Sequence, residues 1–151
     1  HREVNMRTRE ILCRWYEKAQ IDYAQLYMAL YAAFNTWYRV RTRTENDRQA
    51  INSLREDESV WSCYRLDAGI NKMNSLMPLL VELTQREPIS YASPHWKGVV
   101  SHNQDWPSLL EYWYRVRCLV MHGAEIKPVY IYLAYETLNV FMGEMVKSIQ
   151  D

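Results

Sequence analysis

The sequence predicts an all-α protein: an antiparallel bundle of about five to six helices, with one long loop before the fifth. Three observations predict it. Only 4 glycines and 5 prolines punctuate 151 residues. No segment alternates apolar and polar residues for long, and apolar residues recur at the three- and four-residue spacing of helices. No linker, repeat or low-complexity tract divides the chain, so it is read as a single domain, 1–151.

Composition narrows the class. Hydrophobic residues make up 48% of the chain and charged ones 24%, the balance of a globular rather than a disordered protein. The 18 basic and 18 acidic residues cancel, so no global field draws DNA or an anionic membrane, and RNA would have to be held by a local patch. The longest apolar run, 26–34, is far shorter than the ~20 residues a membrane span needs, and no signal peptide is visible. Cys13, Cys63 and Cys118 have neither metal-type spacing nor an even count. No metal site of cysteines and no disulfide framework are therefore expected, and a reducing, cytoplasmic setting fits; no metal and no cofactor are expected elsewhere either. His1 in place of a Met is read as an expression remnant or an interior start.

The helices follow in order. The first, 6–18, is expected to bury Ile11, Leu12 and Trp15. The second, 22–40, is apolar almost all round between Tyr23 and Phe34, as in a helix surrounded by others. The third, 44–58, is polar, with a narrow stripe of Ala50, Ile51 and Leu54. The fourth, 60–83, carries Trp61, Tyr64, Ile70, Met73, Met77 and Leu80, and Pro78 is expected to kink or split it. From 85 to 105 the periodicity ends in a stretch holding Pro88, Pro94, Gly98 and the pair His95 and His102. A loop of that length is usually functional or mobile. Trp96 could stack a base there, although an ordinary surface loop is the simpler reading. The histidine spacing does not suit zinc.

The fifth helix opens with Pro107 and a Ser108–Glu111 capping box, and it ends at His122 because Gly123 is the expected left-handed stop. The last, 128–149, is expected to bury Ile131, Leu138, Phe141 and Met145.

Around the fifth helix, Leu109, Tyr112, Trp113, Val116, Leu119 and Val120 form a core face. Glu111, Arg115, Cys118 and His122 fall opposite, with Glu111 and Arg115 spaced for an i,i+4 ion pair. A second stripe of Leu110, Tyr114, Arg117 and Met121 lies between, and it suggests a homodimer seam. Arg117 and His122 lie ~7.5 Å apart along the axis and ~140° around it. Two copies meeting near the seam would bring their side chains together in a composite cleft. His122 sits where the helix dipole favours imidazolium, which suits an acid/base role near neutral pH. Both residues lie off the core face near a helix end, so neither is expected to matter much for folding.

The string YWYRVRCLVMHG, from Tyr112 to Gly123, resembles the Arg-x4-to-6-His signature of the HEPN superfamily, in the form carried by prokaryotic and Apea-like members. Ala33-Phe34-Asn35-Thr36-Trp37-Tyr38 looks like the AFN-x-x-Y stretch those members carry on an early helix. The resemblance implies a helical bundle that commonly dimerises and sets two motifs at the dimer cleft. Many members are metal-independent endoribonucleases of toxin–antitoxin, abortive-infection or CRISPR systems, while others bind nucleotides or serve as interaction domains. By position, Arg117 would be the motif arginine and His122 the motif histidine. Cys118 follows the arginine where active members often carry Asn, Asp or His, so a hydrogen-bonding group beside the phosphate is missing.

The implied function is RNA cleavage by Arg117 and His122, supported by Asn35 and Cys118, with a homodimer and an antitoxin as partners. The alternative is a non-catalytic dimeric module that binds a nucleotide or a protein. Asn35 either orients His122 or Arg117, or bonds a neighbouring carbonyl. Arg39, Arg41, Arg43 and Arg115 could hold RNA phosphates, although a run such as 39–43 more often closes a helix in solvent.

Overall fold

A computed structural model describes residues 5–57, 59–60, 70–90 and 94–150. Among these the protein is all-helical: α1 (Met6–Ala19), α2 (Tyr23–Thr42), α3 (Asp47–Arg55), α4 (Ile70–Arg86), α5 (Trp106–Met121) and α6 (Pro128–Gln150). Trp61, Cys63 and Tyr64 lie outside the described residues. None of the described helices is long and apolar enough to cross a membrane.

Short polar residues start the helices by accepting orphan amide hydrogens. Asn5 accepts from Thr8 at 2.8 Å, Asp22 from Gln25 at 3.3 Å and Asn46 from Gln49 at 3.0 Å. At α5 the cap is Asp105, which accepts from the Ser108 amide at 3.3 Å. The Ser108–Glu111 box is not used, because Glu111 is drawn to arginines of α3 instead. Pro78 sits inside one continuous helix rather than splitting it.

α2 and α6 pack along each other, α3 lies across α2 and α5, and α4 covers α6. The centre is aromatic: Phe34 meets Trp113 and Phe141 edge-on, and Trp106 packs against Trp113 and Phe141. Ala50, Ile51 and Leu54 of α3 are fully buried, as their spacing predicts. In α6, Leu138 and Phe141 are buried, while Ile131 and Met145 are only partly so. α2 is not surrounded: Tyr27, Tyr31, Phe34 and Tyr38 face inward, but Leu26, Ala29, Ala32 and Ala33 face out.

α1 departs furthest from expectation. None of its residues is buried, and Ile11, Leu12 and Trp15 are exposed, Leu12 by 65%. Its periodicity is that of a packed helix, yet its main tie to the bundle is Lys18, which donates to the Tyr132 hydroxyl at 3.1 Å and lies over that ring.

Among its described residues, the stretch between α4 and α5 is anchored in the core at a few points rather than lying wholly on the surface. Ile89, Trp96 and Val100 are buried. The Ile89 amide donates to the Gly98 carbonyl at 3.2 Å. Gly98 has φ 88°, and a Cβ there would lie 2.5 Å from the Ile89 carbonyl oxygen, so only glycine fits. His95 and His102 stay at the surface.

Candidate functional site

α5 is enclosed on three sides. Leu109, Tyr112, Trp113, Val116 and Leu119 fill the core as the wheel predicts. The second stripe is covered in part within the same chain: Leu110 is fully buried and Tyr114 half-buried, where α3 crosses α5, while Met121 is exposed. Two residues of the face opposite the core, Glu111 and Arg115, are also inside. Glu111 is buried and takes a bidentate pair of bonds from Arg48, at 2.6 and 2.9 Å, and a third from Arg55 at 3.1 Å. Arg115, only 4% exposed, donates to the carbonyls of Ile89 and Trp96 at 3.0 Å each and stacks on the Trp96 ring. The Glu111–Arg115 pair therefore does not form, and Arg115 braces the loop instead of facing an RNA phosphate. Long side chains reached by partners far along the chain can enter a core that a wheel assigns to solvent.

Arg117 sits one turn from the end of α5, half-buried. Its guanidinium lies over the rings of Tyr31, at 5.2 Å, and Tyr114, at 5.9 Å. Its Nη1 donates to Asp47 Oδ2 at 2.9 Å, a contact between residues 70 apart in the chain. Asp47, the first residue of α3, is the centre of the site. Its Oδ1 accepts from Asn35 Nδ2 at 2.8 Å, from the Tyr38 hydroxyl at 2.9 Å and, more loosely, from Arg39 Nη2 at 3.4 Å. Asn35 also donates to the Tyr38 oxygen at 2.6 Å. With its own proton committed to Asp47, the Tyr38 hydroxyl accepts from Tyr31 at 3.3 Å.

Charge follows from this geometry. Burial pushes the Asp47 carboxyl up, but the bonds from Tyr38, Arg117 and Asn35 outweigh it and hold the group below the ordinary carboxylate value. Burial and donation to Asp47 push the Tyr38 phenol up to about 12, so it remains a hydrogen donor. Arg117 stays firmly cationic, because the bond to Asp47 outweighs its burial. Burial holds the Cys118 thiol above its ordinary value even though Arg117 pulls the other way, so Cys118 is a thiol, not a thiolate nucleophile.

His122 is the C-cap of α5. Gly123, at φ 65°, takes the left-handed position the sequence assigns to it. Its amide bonds the Val120 carbonyl at 3.2 Å, and the Ala124 amide bonds Leu119 at 3.0 Å, which is the Schellman pattern. The His122 imidazole is exposed and makes no hydrogen bond or ion pair among the described residues. It does not touch the Asp47 network.

The remaining site residues are dispersed. Asn35 meets neither His122 nor a carbonyl; it reaches Arg117 only through Asp47. The basic run divides three ways. Arg39 leans on Asp47, Arg41 bonds Asp57 at 3.0 Å and Ser59 at 3.1 Å, and Arg43 is exposed in a left-handed conformation at the end of α2. Asp47 and Tyr31 were not visible as site residues in the sequence, and Tyr38 was marked only as the last residue of the AFN-x-x-Y stretch. The only local mark of Asp47 is that an acidic residue follows a capping Asn.

No protein-family model, curated protein or solved structure matches this chain.

Proposed function

We propose that the chain is a HEPN-type domain that cleaves single-stranded RNA without a metal ion. One observation carries the reading: Asp47 gathers Asn35 and Tyr38 of the AFN-x-x-Y segment and Arg117 of the Arg-x4-His segment around one carboxylate. The two stretches on which the resemblance rests are thus neighbours in space. In the reaction His122 takes the proton of an RNA 2′-hydroxyl as its oxygen attacks the adjacent phosphorus. The bond to the 5′-oxygen breaks and that oxygen takes a proton from water; in the converse assignment His122 protonates the 5′-oxygen and water takes the 2′-hydroxyl proton. Arg117 stabilises the charge on the phosphate. The products carry a 2′,3′-cyclic phosphate and a 5′-hydroxyl.

A homodimer, an antitoxin partner and a toxin–antitoxin or defence role in the cytoplasm belong to the same proposal. With Leu110 and Tyr114 covered by α3, the end of α5 at Met121 and His122 is the part left to meet a second copy.

The test is cleavage of single-stranded RNA in EDTA. His122→Ala should lower the rate by ~10²–10⁴ with an unchanged melt, since the residue is exposed and caps through its backbone. Cys118→Asn should leave cleavage equal or raise it. A second reading, a binding module without catalysis, is favoured by the neutralisation of Arg117 by Asp47 and by the missing polar group at Cys118. It takes over if neither the purified protein nor Cys118→Asn cuts RNA.

A further inference from the structure

We infer that the Asp47 carboxylate occupies the seat of an RNA phosphodiester, and that RNA enters by displacing it. The inference rests on the ribonuclease reading for its ligand. It rests on the geometry of four donors for its site.

Those donors come from two helices, Asn35, Tyr38 and Arg39 from α2 and Arg117 from α5, while the acceptor comes from a third. The arrangement is that of an anion seat, with three donors on one oxygen and an arginine on the other. A phosphodiester also presents two oxygens that share one negative charge, so the four donors of the seat still face a single anionic charge after the exchange. With Asp47 removed, two arginines face each other across the seat without a counter-ion. Arg117 spends only Nη1 on Asp47, which leaves other N–H groups of its fork to reach a second phosphate oxygen.

Asp47 is also built to leave. The cap of α3 is Asn46, so the Asp47 side chain has no capping duty. Its side chain is 16% exposed and that of Arg39 43%, so the seat opens to water on the Arg39 side. One rotamer change carries the carboxylate out, and the loose pair with the exposed Arg39 is cheap to open. Tyr31 and Tyr114 keep the guanidinium in place while the anion is exchanged.

The experiment measures binding apart from cleavage, using a fluorescein-labelled oligouridylate made with 2′-O-methyl sugars, which lacks the attacking hydroxyl. Asp47→Asn, nearly isosteric, should bind it about tenfold more tightly than the natural chain at low salt. Adding Arg117→Gln to Asp47→Asn should return the affinity to the starting level or below. Salt should weaken binding most in the Asp47→Asn chain. Equal affinity in a folded Asp47→Asn chain overturns the inference, as does a gain confined to inorganic phosphate run in a parallel arm. If Asp47→Asn does not fold, Asp47→Ser carries the same expectation. A chain that folds with neither would make Asp47 a structural strut and overturn the inference as well. Tighter binding without cleavage of ordinary RNA would sink the ribonuclease reading alone. Cleavage by the natural chain with no gain in Asp47→Asn would sink the exchange alone.

Discussion

Two carboxylates in this protein are each held by two arginines, and they stand one helix crossing apart. Glu111 is sealed, its side chain 3% exposed, with a bidentate Arg48 and a supporting Arg55. Asp47 is half-open, its side chain 16% exposed, and it holds one arginine through a single nitrogen and the other at 3.4 Å. The same α3 turn serves both, with Asp47 in one cluster and Arg48 in the other, and the Tyr114 ring lies under both Arg48 and Arg117. The difference is one of solvent. A sealed, bidentate pair ties α3 to α5 and cannot be exchanged for a ligand. A half-open pair with spare donors can be. Of two chemically similar clusters, one ties helices together and the other is the site we propose.

The sharpest way to break that contrast is to neutralise the strut. Glu111→Gln leaves Arg48 and Arg55 facing an amide that can accept only part of their bonds. The expected cost is about 2–3 kcal/mol. It falls short of the figure for a fully buried triad because the arginine side chains are 24% and 31% exposed and can turn to water. Urea unfolding followed by circular dichroism reads it directly. A loss under ~1 kcal/mol would place Glu111 with ordinary surface pairs and erase the distinction.

Arg117→Ala is the matching change in the half-open cluster. It removes one ion pair and the stacking on Tyr31 and Tyr114, for an expected ~1–2 kcal/mol and a fall in Tm of about 3–6 °C. The sequence alone suggests almost no cost, because a polar residue near a helix end looks dispensable. Thermal melts of Arg117→Ala beside Glu111→Gln should rank the two in that order, and the reverse ranking would make Asp47–Arg117 the principal brace.

The same contrast explains what the sequence revealed. Local chemistry was legible: the Ala50-Ile51-Leu54 stripe, the core face of α5 and the stop at Gly123 all follow from spacing or from one residue's backbone freedom. The proposed site was legible at Arg117 and His122, and at Asn35 and Tyr38 of the AFN-x-x-Y stretch. Asp47 was hidden because its bonds run 12 residues back to Asn35 and 70 forward to Arg117, and no period records such distances. Glu111 and Arg115 were misplaced for the same reason. A charge paired at long range carries the same local pattern as a charge in water. The error at α1 is the converse: its amphipathic spacing is real, but Ile11, Leu12 and Trp15 remain exposed.

The smallest effect is in the pH dependence of stability, and it isolates Asp47. Tyr38, Arg117 and Asn35 hold its carboxyl below the ordinary 3.8 despite its partial burial. In the unfolded chain those donors are gone and the value returns to 3.8. A group whose folded value is depressed adds stability that is fully present above the unfolded value. That stability is lost as pH falls through the folded one, because the unfolded chain then takes up the proton first. The natural chain should therefore be more stable than Asp47→Asn at neutral pH, by a margin that is flat down to about pH 5 and shrinks below 3.8. Asn cannot titrate, so the difference between the two urea midpoints, taken at each pH, cancels every other carboxylate in the protein. A margin that stays constant through this window would mean that the Asp47 carboxylate is not held as an anion by its four donors, and the site described here would lose its centre.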